Sequence, residues 1–391
     1  MGTAIINLGR IYTGAVDSPV LECDAVAIED GLIRRLGSRD DVLADEPELV
    51  VDAQGMVLTP GFVDCHVHPQ IGDWTSRHQI LDWISGYGRG GITTVISQGA
   101  VHVQGRPRTG RGAKLLAMLS AETFREYRPG GVRVLAGAIM LEPGLEREDF
   151  EEMAAAGVTH VAEIGISGIK DPEDAAPMVK AAREAGLLIT MHFGGPSVAG
   201  SRGMGLDEAL AIRPDVIAHI NGGSTGRRDD EVHGVITELD AHVEACYHGG
   251  LRQLLMTANL LKERGEVRRL IIGSDSPSAI GISPQAVIRI VSWLIGHSDF
   301  SVGDAFAAAS GNAAAAWGLE AGVVAQGRPA DLLLLDAPLG SQHGDAIQAL
   351  ASGDFPSIAA TFQAGELLPE RAVNSPFPER RLQLTRRGDR N

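Results

Sequence analysis

Between residues 62 and 275 the chain keeps one rhythm: a short apolar run, a polar break, then a stretch with apolar positions three or four apart. The apolar runs at 62–68, 92–98, 133–140, 158–164, 187–192, 215–220, 242–247 and 269–275 read as strands buried on both faces. Glu148–Ala156, Pro172–Ala185 and Leu206–Ile212 read as amphipathic helices between them. Asp171 is a suitable N-cap for the second of these, with proline at the first helical position. Eight strands alternating with helices predict an α/β fold, a parallel (β/α)8 TIM barrel. An open doubly wound sheet is the alternative, weakened because no glycine-rich dinucleotide fingerprint follows the first strand.

Both ends of the chain follow a different pattern. Ala25–Ile28 and Leu32–Leu36 flank Asp30 and Gly31, a dipeptide suited to a type I′ hairpin turn. Val50–Asp52 and Gly55–Leu58 repeat that device, and Gly322–Val324, Ala330–Asp336 and Ile358–Phe362 with Ala364–Glu366 read as three later strands. A small β-sandwich domain assembled from both termini is therefore expected. Its parts are residues 1–57 and 320–375, the barrel occupies 58–319, and 376–391 form a polar tail. That tail carries Arg380, Arg381, Arg386, Arg387 and Arg390, and reads as a loose end or a strap across a partner subunit.

A length of 391 residues suits one large barrel with an accessory domain. The formal net charge of -16 argues against nucleic acid and against an anionic membrane surface, both of which need a basic patch. Cys23, Cys65 and Cys246 are odd in number and far apart, as in a reducing compartment. No apolar signal core or bilayer-length run is present, so a cytoplasmic location is expected.

The chemistry starts at Pro60–His68, where an apolar strand ends in His66 and His68. Side chains on a strand repeat every second residue, so both imidazoles face the same way. In a barrel of this kind functional groups gather at the C-terminal strand ends. Glu163 lies near the end of the fourth strand, His192 ends the fifth, His219 the sixth and Asp275 the eighth. One such residue alone is ordinarily a hydrogen-bonding group. Six in one ring would cost several kcal/mol to bury without a cation. They partition into two ions: His66, His68 and Asp275 on one, His192 and His219 on the other, with Glu163 between. Such a pair lowers the pKa of a shared water, and Asp275 is placed to carry its proton. Nitrogen and oxygen ligands leave zinc, iron(II) and manganese open, zinc being the first choice.

The same residues, with the terminal sheet segments, resemble the amidohydrolase superfamily of metal-dependent hydrolases over essentially the whole chain. Many members bridge their metals with a carboxylated lysine at the end of strand four. Here Glu163 stands at that place and Lys170 lies seven residues on. Within the superfamily the chain is most similar to the enamidases, on Val161–Gly165 running to Met178, His219–Gly223, Gly273–Ser278 and Ala337–Ser341. The resemblance implies hydrolysis of a carbon–nitrogen bond in a cyclic amide (lactam or enamide), with metal-bridging hydroxide as nucleophile and Asp275 as general acid and base. It also implies a homo-oligomer, a tetramer by preference. Deamination of a nucleobase-like ring, deacetylation of an exocyclic amide and an inert oligomeric scaffold are the alternatives. For the substrate, His102 could bind an oxygen, Arg106 a carboxylate, Trp74 could stack on a ring, and His248 could face the pocket. Each has a plain reading beside it, as a solvated loop residue.

Overall fold

The computed structural model describes residues 2–69, 82–99, 105–222, 225–278, 281–368 and 375–388. The chain divides into two compact units. The first comprises Met1–Val63, Tyr87–Thr93 and Val287–Asn391, and the second Asp64–Gly86 and Thr94–Ala286.

In the first unit, strands from both chain ends build two sheets. One has the order 383–386, 49–52, 3–6, 25–29, 32–37, and the other 366–367, 357–363, 332–336, 57–60, 10–12, 20–21. Ile5, Val26, Ile33 and Val51 from the first meet Ile11, Leu58, Leu332, Leu334 and Phe362 from the second in one buried cluster. This is the expected sandwich. Asp30 and Gly31 have φ of +51° and +77° and join Ala25–Glu29 to Leu32–Gly37, as a hairpin turn requires. The second expected hairpin is corrected. Gln54 and Gly55 also have positive φ, but Leu49–Asp52 and Val57–Pro60 lie in different sheets, so this turn carries the chain across the sandwich. Gly322–Val324 is not a strand either; Gly322 has φ +78°, and Val324 N–H donates to the Thr13 carbonyl.

The polar terminal segment is not loose where it is described. Gln383–Arg386 pairs antiparallel with Leu49–Asp52 and closes that edge of the sheet. Arg380 anchors it, donating from its Nε and Nη2 to the fully buried Asp336 carboxylate and from Nη1 to the Gly55 carbonyl. Arg380→Ala would strand a buried carboxylate. A loss of about 3 kcal/mol is expected, toward the low end for a broken buried pair because the guanidinium is partly exposed. Denaturant unfolding of the variant checks it, and an unchanged midpoint would remove Arg380 from the account.

The second unit holds the barrel strands. The first is Phe62–Val67, which begins in the first unit, and the second is Ile92–Ser97. The third is split into Arg133–Leu135 and Ala138–Ile139. At the split, a Cβ on Gly137 would lie 2.7 Å from Val158 Cα, so the chain passes too close for any side chain. His160–Ile164, Leu188–His192, Val216–Ala218, His242–Cys246 and Leu270–Gly273 follow, each parallel to its neighbour. The ring closes where Val67 bridges Ser276, His68 N–H donates to the Ser276 carbonyl (2.8 Å) and Asp275 N–H to the His66 carbonyl (2.8 Å). Arg147–Ala155, Pro172–Glu184 and Leu206–Ile212 are the expected helices, and Asp171 caps the second by accepting from Glu173 N–H. The architecture is a (β/α)8 barrel with a β-sandwich.

Candidate metal centre

Alternation along the first strand turns Asp64, His66 and His68 to one side, and the eighth strand holds them in place. Asp64 Oδ1 accepts from His66 N–H (3.2 Å) and Ser274 N–H (2.9 Å), which ties the histidine strand to the strand that delivers Asp275. Burial pushes the Asp64 carboxyl up to about 7 against these hydrogen bonds. On the fourth strand the register against the fifth slips between Val161 and Ile164, the segment that carries Glu163. Such an irregularity re-aims a side chain. His219 and Asp275 sit at left-handed backbone positions, φ +36° and +54°. Non-glycine residues hold that conformation at a cost of about 1–3 kcal/mol each, and they concentrate at functional sites.

All six expected ligands come together in two groups, His66, His68 and Asp275 in one and Glu163, His192 and His219 in the other. Glu163 faces both. Its Oε1 lies 2.7 Å from His219 Nε2 and 3.9 Å from His192 Nδ1, while Oε2 lies 3.2 Å from His66 Nε2 and 3.8 Å from His68 Nε2. Asp275 Oδ1 is 3.0 Å from His68 Nε2 and 3.5 Å from His66 Nε2. Every group in the cluster is buried except Asp275, whose side chain is 13% exposed.

The outer ring nitrogens show why this cluster suits cations. His66 Nδ1 donates to Glu244 Oε2 (2.7 Å), His68 Nδ1 to the Gly99 carbonyl (3.0 Å), His192 Nε2 to the Gly195 carbonyl (3.0 Å) and His219 Nδ1 to the Phe193 carbonyl (3.2 Å). Each partner only accepts, so each neutral ring keeps its proton outside and turns a lone pair inward. Two inward pairs, His66 with His68 and His192 with His219, then face each other at 3.2 Å. Facing lone pairs repel unless a positive charge lies among them. Electrostatics agree. Burial alone would depress His66, but Glu244, Glu163 and Asp275 together hold it well above its ordinary value. Burial likewise opposes charge on Glu163, and His66 and His219 outweigh it, holding that carboxyl well below the usual range. His192 is pushed down to about 4 by burial and by His219, leaving it neutral and free to ligate. The cluster draws in positive charge, as metal ions or as protons, and its donor set fits divalent metals.

Of the residues expected to meet substrate, His248 is at the centre, its Nδ1 3.8 Å from Asp275 Oδ2. Arg106 is buried and donates to Glu142 Oε1 (2.7 Å), Ser167 Oγ (2.6 Å) and the Pro107 carbonyl, and it lines a cavity with Pro69 and Gly99. His102 and Trp74 lie outside the described residues. Lys170 donates to the Gly200 carbonyl rather than entering the cluster, and among the described residues it is Glu163 that faces both histidine pairs.

Sequence reading missed Glu244. The signal was available, an acid in the middle of the apolar run His242–Cys246 on the face that points into the barrel. Gly273 makes room for it, since a Cβ there would lie 2.4 Å from Glu244 Oε1 and 2.5 Å from His66 Cβ. Glu244→Gln keeps the volume and removes the charge behind His66. Metal affinity is expected to fall by about tenfold or more, the range for losing such an outer carboxylate. Chelator competition measures it, and unchanged affinity would show that Glu244 does not support the ligand.

Residues 248–368 match the family model described as the amidohydrolase family. The chain is 39% identical to the enamidase of Eubacterium barkeri over 382 residues, which are 98% of this chain and 99% of that enzyme. A crystal structure of enamidase, described as a new member of the amidohydrolase superfamily, superposes with a TM-score of 0.94 at 39% identity, covering 98% of this chain and 100% of the other. D-hydantoinase, at 14% identity and a TM-score of 0.68 over 97% of this chain and 99% of that one, shares the fold. The chain belongs to the amidohydrolase superfamily of metal-dependent hydrolases, with an enamidase as a full-length relative.

Proposed function

We propose that this chain is an enamidase-like hydrolase that opens a cyclic amide at its carbon–nitrogen bond, using two divalent cations. The observation that carries the reading is the division of Glu163: one oxygen toward His192 and His219, the other toward His66 and His68. His66, His68 and Asp275 would hold one ion, His192 and His219 the other, with Glu163 shared. Zinc is the first choice, with iron(II) and manganese as alternatives. When bound, the ions supply Lewis acidity, lowering the pKa of a water and polarising the amide carbonyl. Asp275 turns Oδ2 away from the histidine pair and accepts the proton that the attacking water sheds. It returns that proton to the leaving ring nitrogen. One carbon–oxygen bond forms, one carbon–nitrogen bond breaks, and the ring opens to a carboxylate and an N–H group. His248, beside that carboxylate, is placed to contact the substrate.

With this reading go a homo-oligomeric, tetrameric state, a cytoplasmic location, no nucleic-acid or membrane partner, and the division into a barrel over 58–319 and a sheet domain over 1–57 and 320–375. Among the described residues no helix is long and apolar enough to cross a membrane. The experiment is a substrate panel of lactams, enamides, hydantoins, imides and hydroxylated pyridine derivatives, run beside aminopurines and aminopyrimidines. Ring opening among the first set supports the proposal. Ammonia release from the second set alone would make the chain a deaminase.

A further inference from the structure

The two oxygens of Asp275 keep different company. Oδ1 faces His66 and His68, while Oδ2 lies 3.8 Å from His248 Nδ1, and that nitrogen is 2.8 Å from Cys246 Sγ. Sulfur, imidazole nitrogen and carboxylate oxygen thus form a third donor group, all within 4.8 Å of one another. The fold explains it. Cys246 ends the seventh strand, His248 follows two residues later, and Cys246 pairs with Gly273 on the neighbouring strand, two residues before Asp275. Cys246 is buried, but His248 and Asp275 leave 17% and 13% of their side chains exposed, so a solute can reach the group from their side.

We propose that Cys246, His248 and Asp275 form an additional, inhibitory metal site for a sulfur-seeking divalent cation such as Zn2+ or Cd2+. The donor chemistry sets the class of ion, since thiolate and imidazole select zinc-like ions over magnesium or calcium. Without the ion, the Cys246 thiol lies in hydrogen-bonding contact with His248 Nδ1. As the sulfur–metal bond forms, the S–H bond breaks and its proton passes to solvent; no electrons are exchanged. A tetrahedral ion needs sulfur and nitrogen roughly 3.5 Å apart. His248 makes that movement, because Asn221 clamps the Cys246 backbone from both sides, accepting from its N–H (2.8 Å) and donating to its carbonyl (3.0 Å). Inhibition follows from the proposed function, on which this inference rests: the ion occupies Asp275 Oδ2, the oxygen left for the proton.

The test uses the holoenzyme and Cys246→Ser, each titrated with Co2+ and separately with Zn2+. Wild type is expected to take up one equivalent more than the variant, to develop a thiolate-to-cobalt charge-transfer band in the near ultraviolet, and to lose activity by about a hundredfold as the group fills. Cys246→Ser is expected to keep its basal activity and lose the extra equivalent, the band and the inhibition together. Equal uptake by both proteins, or inhibition that survives the substitution, would overturn the site. Cys246→Ala gives the same comparison should the serine variant fail to fold. Holoenzyme that turns over no cyclic amide would sink the proposed function instead, and the cobalt band would still decide whether the site exists.

Discussion

Glu163→Gln should cut kcat/KM by about a thousandfold, equivalent to about 4 kcal/mol of transition-state stabilisation, and release at least part of the metal. The carboxylate is the one group in the cluster with an oxygen toward each histidine pair. Glutamine offers a single carbonyl oxygen to one side and an amide NH2 to the other. That NH2 can only donate, so it cannot ligate. The negative charge that would keep two dications close together goes with it. Fold stability should fall along with the metal, because the carboxylate loses its hold on His66 and His219 and ions bound only by the folded chain stabilise it. Metal analysis, steady-state kinetics and a thermal melt on the same preparation check all three parts. Full activity with undiminished metal would mean that Glu163 does not bridge.

Asp275→Asn should behave differently. The amide is nearly isosteric and its oxygen can still face His66 and His68, so much of the metal should stay. What is lost is the carboxylate proposed to accept the water's proton, and kcat should fall by about 10²–10⁴-fold with KM little changed. Burial opposes charge on this carboxyl, but His66, His68 and His248 hold it well below its ordinary range, so it is ionised at neutral pH. The split between the two variants is the informative result. Loss of metal marks the bridge, and loss of turnover with metal retained marks the proton carrier. If Asp275→Asn retained wild-type kcat, another group would have to move the proton.

Much of this site was legible in the sequence because barrels collect ligands at strand ends, where position along the chain fixes position in space. His66, His68, Glu163, His192, His219 and Asp275 each close an apolar run, and all six meet. Asp64 and Glu244 sit within such runs, where an acid looks like an isolated exception, and only the folded partners reveal its task. The sandwich was harder to read. Gln54 and Gly55 have the turn chemistry of a hairpin, but local sequence does not say whether the chain returns beside its own strand or crosses to another sheet. Gln383–Arg386 gave no signal at all: its contribution is backbone hydrogen bonding at an edge, and Leu384 remains 54% exposed. Arg106 looked like a free guanidinium because its acid, Glu142, is 36 residues away in the chain.

The centre itself is tested most directly by counting divalent metal per chain in purified, active protein and removing it with a chelator. About two equivalents are expected, with turnover lost on removal and restored by zinc, iron(II) or manganese. Undiminished ring opening by protein stripped of every divalent ion would contradict the account.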